Sequence, residues 1–298
     1  MYRIRKLPGR IKRTSMYKLV AYDLDGTLIN KEQVIPDSAF EAMRILDESG
    51  VINVLTTGRS WYVVPKVLKG CGYLRHAVFS SGARIADLGK QEMSFRGVMN
   101  NSEAEKLISL AHEFNGSVLA FFKNGVVYEN GVVNQSRKKI VQSRRNEGIS
   151  SIYVLDDALN ALSFLDGLEK ITIEYDKTYV DEIQNRIKRI EDYEMISSFS
   201  FLSEAGKNGE KLAVTEINRK GITKGSGLIE ICRNLNIDLK ETIAIGDSEN
   251  DLPMMKTAGF SIAMGNSSLT TKENADFVTK DIMDDGVLFA VEKLFGLK

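Results

Sequence analysis

Asp23-Leu24-Asp25-Gly26-Thr27-Leu28 places two carboxylates one residue apart, directly after the apolar run Lys18 to Tyr22. One carboxylate of such a pair can act as a nucleophile and the other as a general acid and base. Gly26 lets the loop turn tightly, although a solvated acidic turn has the same composition. Thr56-Thr57-Gly58-Arg59 ends a second apolar run. A hydroxyl and the free backbone N–H groups of that turn, Gly58 included, can hold phosphate oxygens. The plainer reading is a strand-to-helix turn with a threonine cap. Lys224 lies in Gly221-Ile222-Thr223-Lys224-Gly225-Ser226-Gly227. By itself this reads as a flexible loop with a solvated lysine, and it is no P-loop, because Gly225 follows the lysine. Gly246-Asp247-Ser248-Glu249-Asn250-Asp251 puts three acids after an apolar strand. Crowding like charges there is costly without a cation, which favours a metal site over a solvated turn.

The elements around these groups follow a strand–helix rhythm. Lys18 to Tyr22, Val51 to Thr56 and Ala77 to Ser80 read as short buried strands. Asp37 to Ser49 reads as a helix, with Phe40, Met43 and Leu46 on one face and Gly50 as its stop. A helical stretch through Val63 and Val67 follows Gly58. Near the C-terminus, Thr242 to Ile245 and Phe260 to Ala263 read as strands, and Asp251 to Ala258 and Asp285 to Phe295 as helices. The alternation predicts an α/β, Rossmann-like, doubly wound parallel sheet, with its ligand edge at the strands' carboxyl ends. The middle differs. Asn101 to Phe114 and Val180 to Ile190 read as helices, and Lys170 to Tyr175 and Lys211 to Ile217 as strands. Val118 to Phe122 and Val126 to Tyr128 flank Asn124-Gly125, a hairpin signal. These predict an α+β insert.

The chain has 298 residues, long enough for two domains at about 150 residues each. Its 40 basic and 40 acidic residues balance, which argues against nucleic-acid binding through overall charge. The balance is uneven along the chain. Met1 to Ser15 carries six basic residues and no acid, and reads as a disordered basic arm or an early start before Met16. From Met16 onward the count is 34 basic against 40 acidic. Two cysteines and two histidines, scattered, make a Cys/His zinc site, a disulfide scaffold or a His-centred catalytic network a poor expectation. A metal here needs carboxylates, which suit a hard ion such as Mg²⁺. No apolar run approaches the roughly 18 residues of a membrane helix, and no signal peptide is apparent. The expectation is a soluble cytoplasmic protein with no membrane or nucleic-acid partner, a monomer or homodimer.

Taken together, the acid pair, threonine, lysine and second acid cluster fit one chemistry. Asp23 attacks a phosphorus, while Asp25 protonates the leaving alkoxide and then activates water. Thr57, Lys224 and Mg²⁺ offset charge on the phosphoryl oxygens.

From Met16 onward the chain resembles the haloacid dehalogenase superfamily of phosphatases. DLDGTL with Asp23 and Asp25, TTGR with Thr57, Lys224, and GDSENDLPM from Gly246 to Met255 resemble its four motifs. The TTGR form, the long insert, Met264-Gly265-Asn266 and Asp285-Gly286-Val287 resemble the Cof-type, subfamily IIB members with a C2-type cap. Two departures are Ser81-Gly82, where such proteins often have Asn-Gly, and Gly265-Asn266-Ser267, where they often have Gly-Asn-Ala. The resemblance implies a hydrolase core over 16–86 and 219–298 and a cap over 87–218. It implies that Asp23, the Asp25 backbone carbonyl and Asp247 ligate Mg²⁺, with Asp251 supporting. It also implies that Thr57, Lys224 and Asn250 contact the phosphate, and that Arg59 helps to position substrate or cap. Trp61 and Tyr62 read as core packing rather than site lining. The expected activity is hydrolysis of a small phosphomonoester, a sugar phosphate or phosphorylated cofactor. The alternatives are a phosphotransferase or mutase using the same aspartyl-phosphate, and a non-catalytic phosphate-binding regulator.

Overall fold

The computed structural model describes residues 16–61, 64, 71–123, 125–129, 152–164, 166–202 and 211–296. The basic arm 1–15, Asn124, Tyr62 and the helical stretch through Val63 and Val67 lie outside the described residues. In chain order the strands and α-helices begin with β1 Leu19–Tyr22, α1 Asp37–Glu48, β2 Ile52–Thr56, β3 Leu74–Phe79, β4 Arg84–Asp87 and β5 Glu92–Phe95. Then come α2 Asn101–Glu113, β6 Ser117–Phe122, β7 Gly125–Glu129, β8 Ile152–Leu155, β9 Leu168–Asp176, α3 Val180–Lys188, β10 Tyr193–Leu202 and β11 Lys211–Arg219. The chain closes with α4 Lys224–Leu235, β12 Thr242–Gly246, α5 Leu252–Thr257, β13 Phe260–Ala263, α6 Leu269–Glu273, β14 Phe277–Val278 and α7 Gly286–Phe295.

These elements form two compact units. One runs to Ser94 and resumes at Thr223, and the other is Phe95–Ile222. The expected cut points 86/87 and 218/219 fall inside β4 and β11. β4 extends the first unit's sheet beyond residue 86 by pairing antiparallel with β3. β11 continues to residue 219 by pairing with β10, Tyr193 opposite Arg219.

The first unit carries an eight-stranded sheet in the order β14-β13-β12-β1-β2-β3-β4-β5. β1 pairs parallel with β12 on one side and β2 on the other. Its four residues are all buried because helices cover both faces. Val20 and Tyr22 enter a core with Met43 and Leu46 of α1 and Val291 and Leu294 of α7. Leu19 and Ala21 enter a second core with Leu228 and Ile231 of α4 and Met254 of α5. Each such aliphatic side chain contributes about 1.5–3 kcal/mol on burial. The predicted doubly wound α/β sheet is thus present, with an antiparallel β3-β4 edge added to it. β1 is the strand from which the chain winds both ways, so the ends of β1, β2 and β12 flank the crevice where such sheets bind ligands.

The second unit is a six-stranded sheet, β10-β11-β9-β6-β7-β8, antiparallel except for β7 with β8. α2 and α3 bury Leu107, Ile108, Ile183 and Ile187 against Val118, Ala120, Ile171 and Ile173. The strands on either side of the expected hairpin, β6 and β7, pair antiparallel with Phe122 opposite Gly125. Buried Glu129 ties this unit together: its carboxylate accepts from Val118 N, Ala158 N and the His112 ring at 2.7–2.9 Å. Cys71 and Cys232 are free and buried, and burial pushes both thiols up to about 11. Among the described residues, no helix is long and apolar enough to cross a membrane.

Candidate active site

The four sequence motifs meet at one end of the first unit's sheet. Asp23 follows β1, and its N–H donates to Ile245 O of β12, which carries the strand pairing one step further. Asp23 is 4% exposed, so its carboxylate is desolvated. Lys224 is the first residue of α4, after the Thr223 N-cap, and is buried instead of solvated. Its Nζ donates to Asp23 Oδ1 at 2.5 Å, Asp251 Oδ1 at 2.6 Å and Asn250 Oδ1 at 3.1 Å. One ammonium therefore joins the first, third and fourth motifs. Gly225 lets α4 approach so closely, since a Cβ there would lie 2.5 Å from Pro253 O.

The segment after β12 differs in detail from the predicted helix at Asp251. A 3₁₀ turn, Glu249–Asp251, comes first, and α5 begins at Leu252. That turn folds Asp251 back on its own loop, where Oδ2 accepts from Asp247 N and Ser248 N, both at 3.0 Å. Asp251 is thus saturated by Lys224 and two amides and braces the loop. Asp247 is different, because its Oδ1 is buried with no hydrogen-bond partner. Gly26, with φ +81°, is pressed against it, and a Cβ at 26 would fall 2.5 Å from Asp247 Oδ2. Asn266 donates to Gly26 O at 2.8 Å and accepts from Ile282 N at 3.2 Å, which braces that loop from the far side.

The charges respond to this crowding. Burial, and then the Asp251 charge, push the Asp23 carboxyl well above its ordinary range, with Lys224 opposing. Burial and Asp251 likewise raise Asp247, to about 6. For Lys224, burial works against the ammonium, but Asp23 and Asp251 outweigh it and hold its pKa above that of an ordinary lysine. Oxygen atoms of Asp23, Asp247 and Asp251 lie within 4.8 Å of one another. An all-oxygen donor set with an unpartnered buried carboxylate oxygen fits a hard divalent cation.

Over residues 20–291 the chain matches the family described as haloacid dehalogenase-like hydrolase. The chain belongs to the haloacid dehalogenase-like hydrolases. The 5-amino-6-(5-phospho-D-ribitylamino)uracil phosphatase YcsE of Bacillus subtilis is 27% identical over 281 residues, 92% of this chain and 94% of that protein. Among solved structures, a haloacid dehalogenase-like hydrolase from Bacteroides thetaiotaomicron superposes with a TM-score of 0.72 at 28% identity, covering 94% of this chain and all of the other. The subclass IIB sugar phosphatase BT4131 shares the fold, with a TM-score of 0.76 at 23% identity over 94% of this chain and 100% of its own. The resemblance read from the motifs and the expected fold class both stand. So does the enzyme class, the phosphomonoester hydrolase of this family's phosphatase relatives.

In this hydrolase Thr57 is 1% exposed at the end of β2, with its N–H donating to Val78 O and its Oγ1 accepting from Arg59 N at 3.1 Å. Its hydroxyl therefore shapes the Gly58 turn. Arg59 forks onto Asp25: Nε donates to Oδ2 at 2.8 Å and Nη2 to Oδ1. Nothing in the spacing of the two motifs signalled this pair, although β1 and β2 are neighbours. Arg59 Nη2 also donates to Gln33 Oε1 at 2.5 Å, and Gln33 had no sequence signal at all. Trp61 packs edge-on against Phe79, ring centroids 5.3 Å apart, in keeping with a packing role.

The fit of Gly26 against Asp247 gives a direct expectation. Gly26→Ala meets both a left-handed backbone and a carboxylate, so Asp247 must move. Turnover is expected to fall on the order of 10²-fold, the scale of an ångström-sized misplacement in a reacting site. Steady-state kinetics beside a circular-dichroism melt separate this from unfolding.

Proposed function

We propose that this hydrolase is a Mg²⁺-dependent phosphatase of small phosphomonoesters, sugar phosphates or phosphorylated cofactors, working through an aspartyl-phosphate on Asp23. The observation that carries the reading is the Lys224 ammonium, bound at once to Asp23 and Asp251, beside the unpartnered Oδ1 of Asp247. A dianionic phosphate cannot approach bare aspartates, and this arrangement supplies one cation and the oxygen ligands for a second. The relatives lend the substrate class. YcsE is named as a phosphatase of a phosphoribitylamino compound and BT4131 as a sugar phosphatase.

Asp23, the Asp25 carbonyl and Asp247 would hold Mg²⁺, with Asp251 bracing them. When bound, the ion neutralises phosphoryl charge and acts as a Lewis acid on the phosphoryl oxygens. This chain's residues do the rest. A carboxylate oxygen of Asp23 forms a bond to phosphorus as the ester P–O bond breaks. Asp25 gives its proton to the departing alkoxide. Water then attacks the phosphorus, Asp25 takes its proton, and the bond to Asp23 breaks to release phosphate. Lys224, Thr57, Asn250 and the Gly58 turn bind the phosphoryl oxygens, and Arg59 aims Asp25. The inserted unit, Phe95–Ile222, is the C2-type cap, and the unit carrying the aspartates is the hydrolase core.

The test is release of inorganic phosphate from p-nitrophenyl phosphate. Activity that is abolished by EDTA and restored by Mg²⁺ is expected. Activity indifferent to EDTA contradicts the metal assignment, and transfer of the phosphoryl group to an added alcohol or sugar with none to water contradicts hydrolysis.

A further inference from the structure

Gln33 occupies a left-handed conformation, φ 61°, uncommon for a residue with a side chain. It lies in a tight turn that closes without its side-chain amide. Asn30 N donates to Val34 O at 3.1 Å, Gln33 N to Asn30 O at 3.0 Å, and Val34 N to Asn30 Oδ1 at 3.1 Å. Glycine would adopt that backbone freely. What glutamine adds is its side-chain carbonyl, which accepts from Arg59 Nη2, the same nitrogen that donates to Asp25 Oδ1. The Arg59 fork is thus gripped at two points, by a carboxylate in front and an amide beside it. A strained residue next to reacting groups is a reason to look for a role, and the type of residue fits one. A glutamate at 33 would compete with Asp25 for the guanidinium, whereas a neutral amide orients it without competing.

We propose that Gln33 is a positioning residue: its amide, presented by a left-handed turn, fixes the plane of the Arg59 guanidinium so that the Asp25 carboxylate is aimed for proton transfer. The inference rests on the phosphatase reading and deepens it. Gln33 needs no contact with substrate. Its loss therefore acts on kcat and spares KM.

Gln33→Gly separates the side chain from the turn, because it relaxes the backbone and deletes only the amide. With p-nitrophenyl phosphate, kcat is expected to fall about three- to tenfold, the weight of one orienting hydrogen bond, and KM to change by less than about twofold. In an Arg59→Ala background the same substitution is expected to cause no further loss, since its route is already cut. Full kcat in Gln33→Gly, or an equal loss with Arg59 absent, overturns the assignment. A second readout stands apart from turnover. The Arg59 Nε proton, observed by NMR, is expected to exchange with water faster in Gln33→Gly than in the parent protein. Equal exchange in the two proteins overturns the assignment even if the phosphatase reading fails, and an inactive parent protein overturns that reading alone.

Discussion

Replacing Asp23 with asparagine is expected to abolish turnover, by on the order of 10⁴-fold or more, while the fold survives. The magnitude is that of removing a nucleophile. An amide oxygen is a poor nucleophile toward a phosphoester and a weaker ligand for a hard cation. The fold survives because asparagine has nearly the same shape, and because the ionised Asp23 is itself held at a cost. Burial and Asp251 raise its carboxyl well above the ordinary range. A carboxyl raised in this way subtracts stability above its unfolded value, so removing its charge relieves repulsion with Asp251 even as Lys224 loses one partner. The two effects oppose each other, and the melting temperature is expected to stay within about 5 °C of the parent. A melting curve and a phosphate-release assay on the same preparation check both halves. Retained turnover would remove Asp23 from the mechanism.

Lys224→Met is expected to damage stability as well as rate. Methionine fills much of the same volume but leaves Asp23 and Asp251 buried around no cation. Breaking a buried ion pair from one side costs about 3–5 kcal/mol. That corresponds to a fall in melting temperature of roughly 10 °C for a domain of this size. The sign of the pH dependence follows from the acids. Asp23 and Asp247 are already raised, the latter to about 6. Without Lys224 both rise further, so the penalty is largest at alkaline pH and shrinks as pH falls through their raised range, where the acids take up protons. Added Mg²⁺ is expected to recover part of the lost stability at neutral pH, by binding the folded aspartate cluster and not the unfolded chain. Thermal shift across pH, with and without Mg²⁺, measures all three. A variant as stable as the parent at pH 8 without metal would mean that Lys224 does not hold the cluster together.

The strands that carry the site were legible because each is a short apolar run ended by a polar turn. β1, β2 and β12 are buried on both faces, so most residues along them are apolar. The helix on Lys224 was not legible. Gly221, Gly225 and Gly227 give that stretch a loop's composition, yet Gly225 is there because α4 packs against the Pro253 carbonyl with no room for a side chain. A glycine needed for close approach looks the same in sequence as a glycine needed for flexibility. Edge strands were missed for another reason. β5, Glu92–Phe95, alternates exposed and half-buried residues and has no apolar run to announce it. The aspartates declared themselves through crowding, an electrostatic cost that needs a partner, and the structure supplies Lys224 as one. The Asp25–Arg59–Gln33 contacts stayed hidden because they depend on which strands are neighbours and on a backbone angle at Gln33 that its side chain does not encode.

The most direct measurement is to trap the covalent intermediate. The protein is mixed with a phosphomonoester and Mg²⁺, quenched within the turnover time, and treated with borohydride, which reduces an acyl phosphate to an alcohol but leaves free carboxylates intact. Peptide mass spectrometry is expected to find reduction at position 23, dependent on both substrate and Mg²⁺. A protein that releases phosphate while position 23 stays unreduced, or that is reduced at another aspartate, would contradict Asp23 as the phosphoryl carrier.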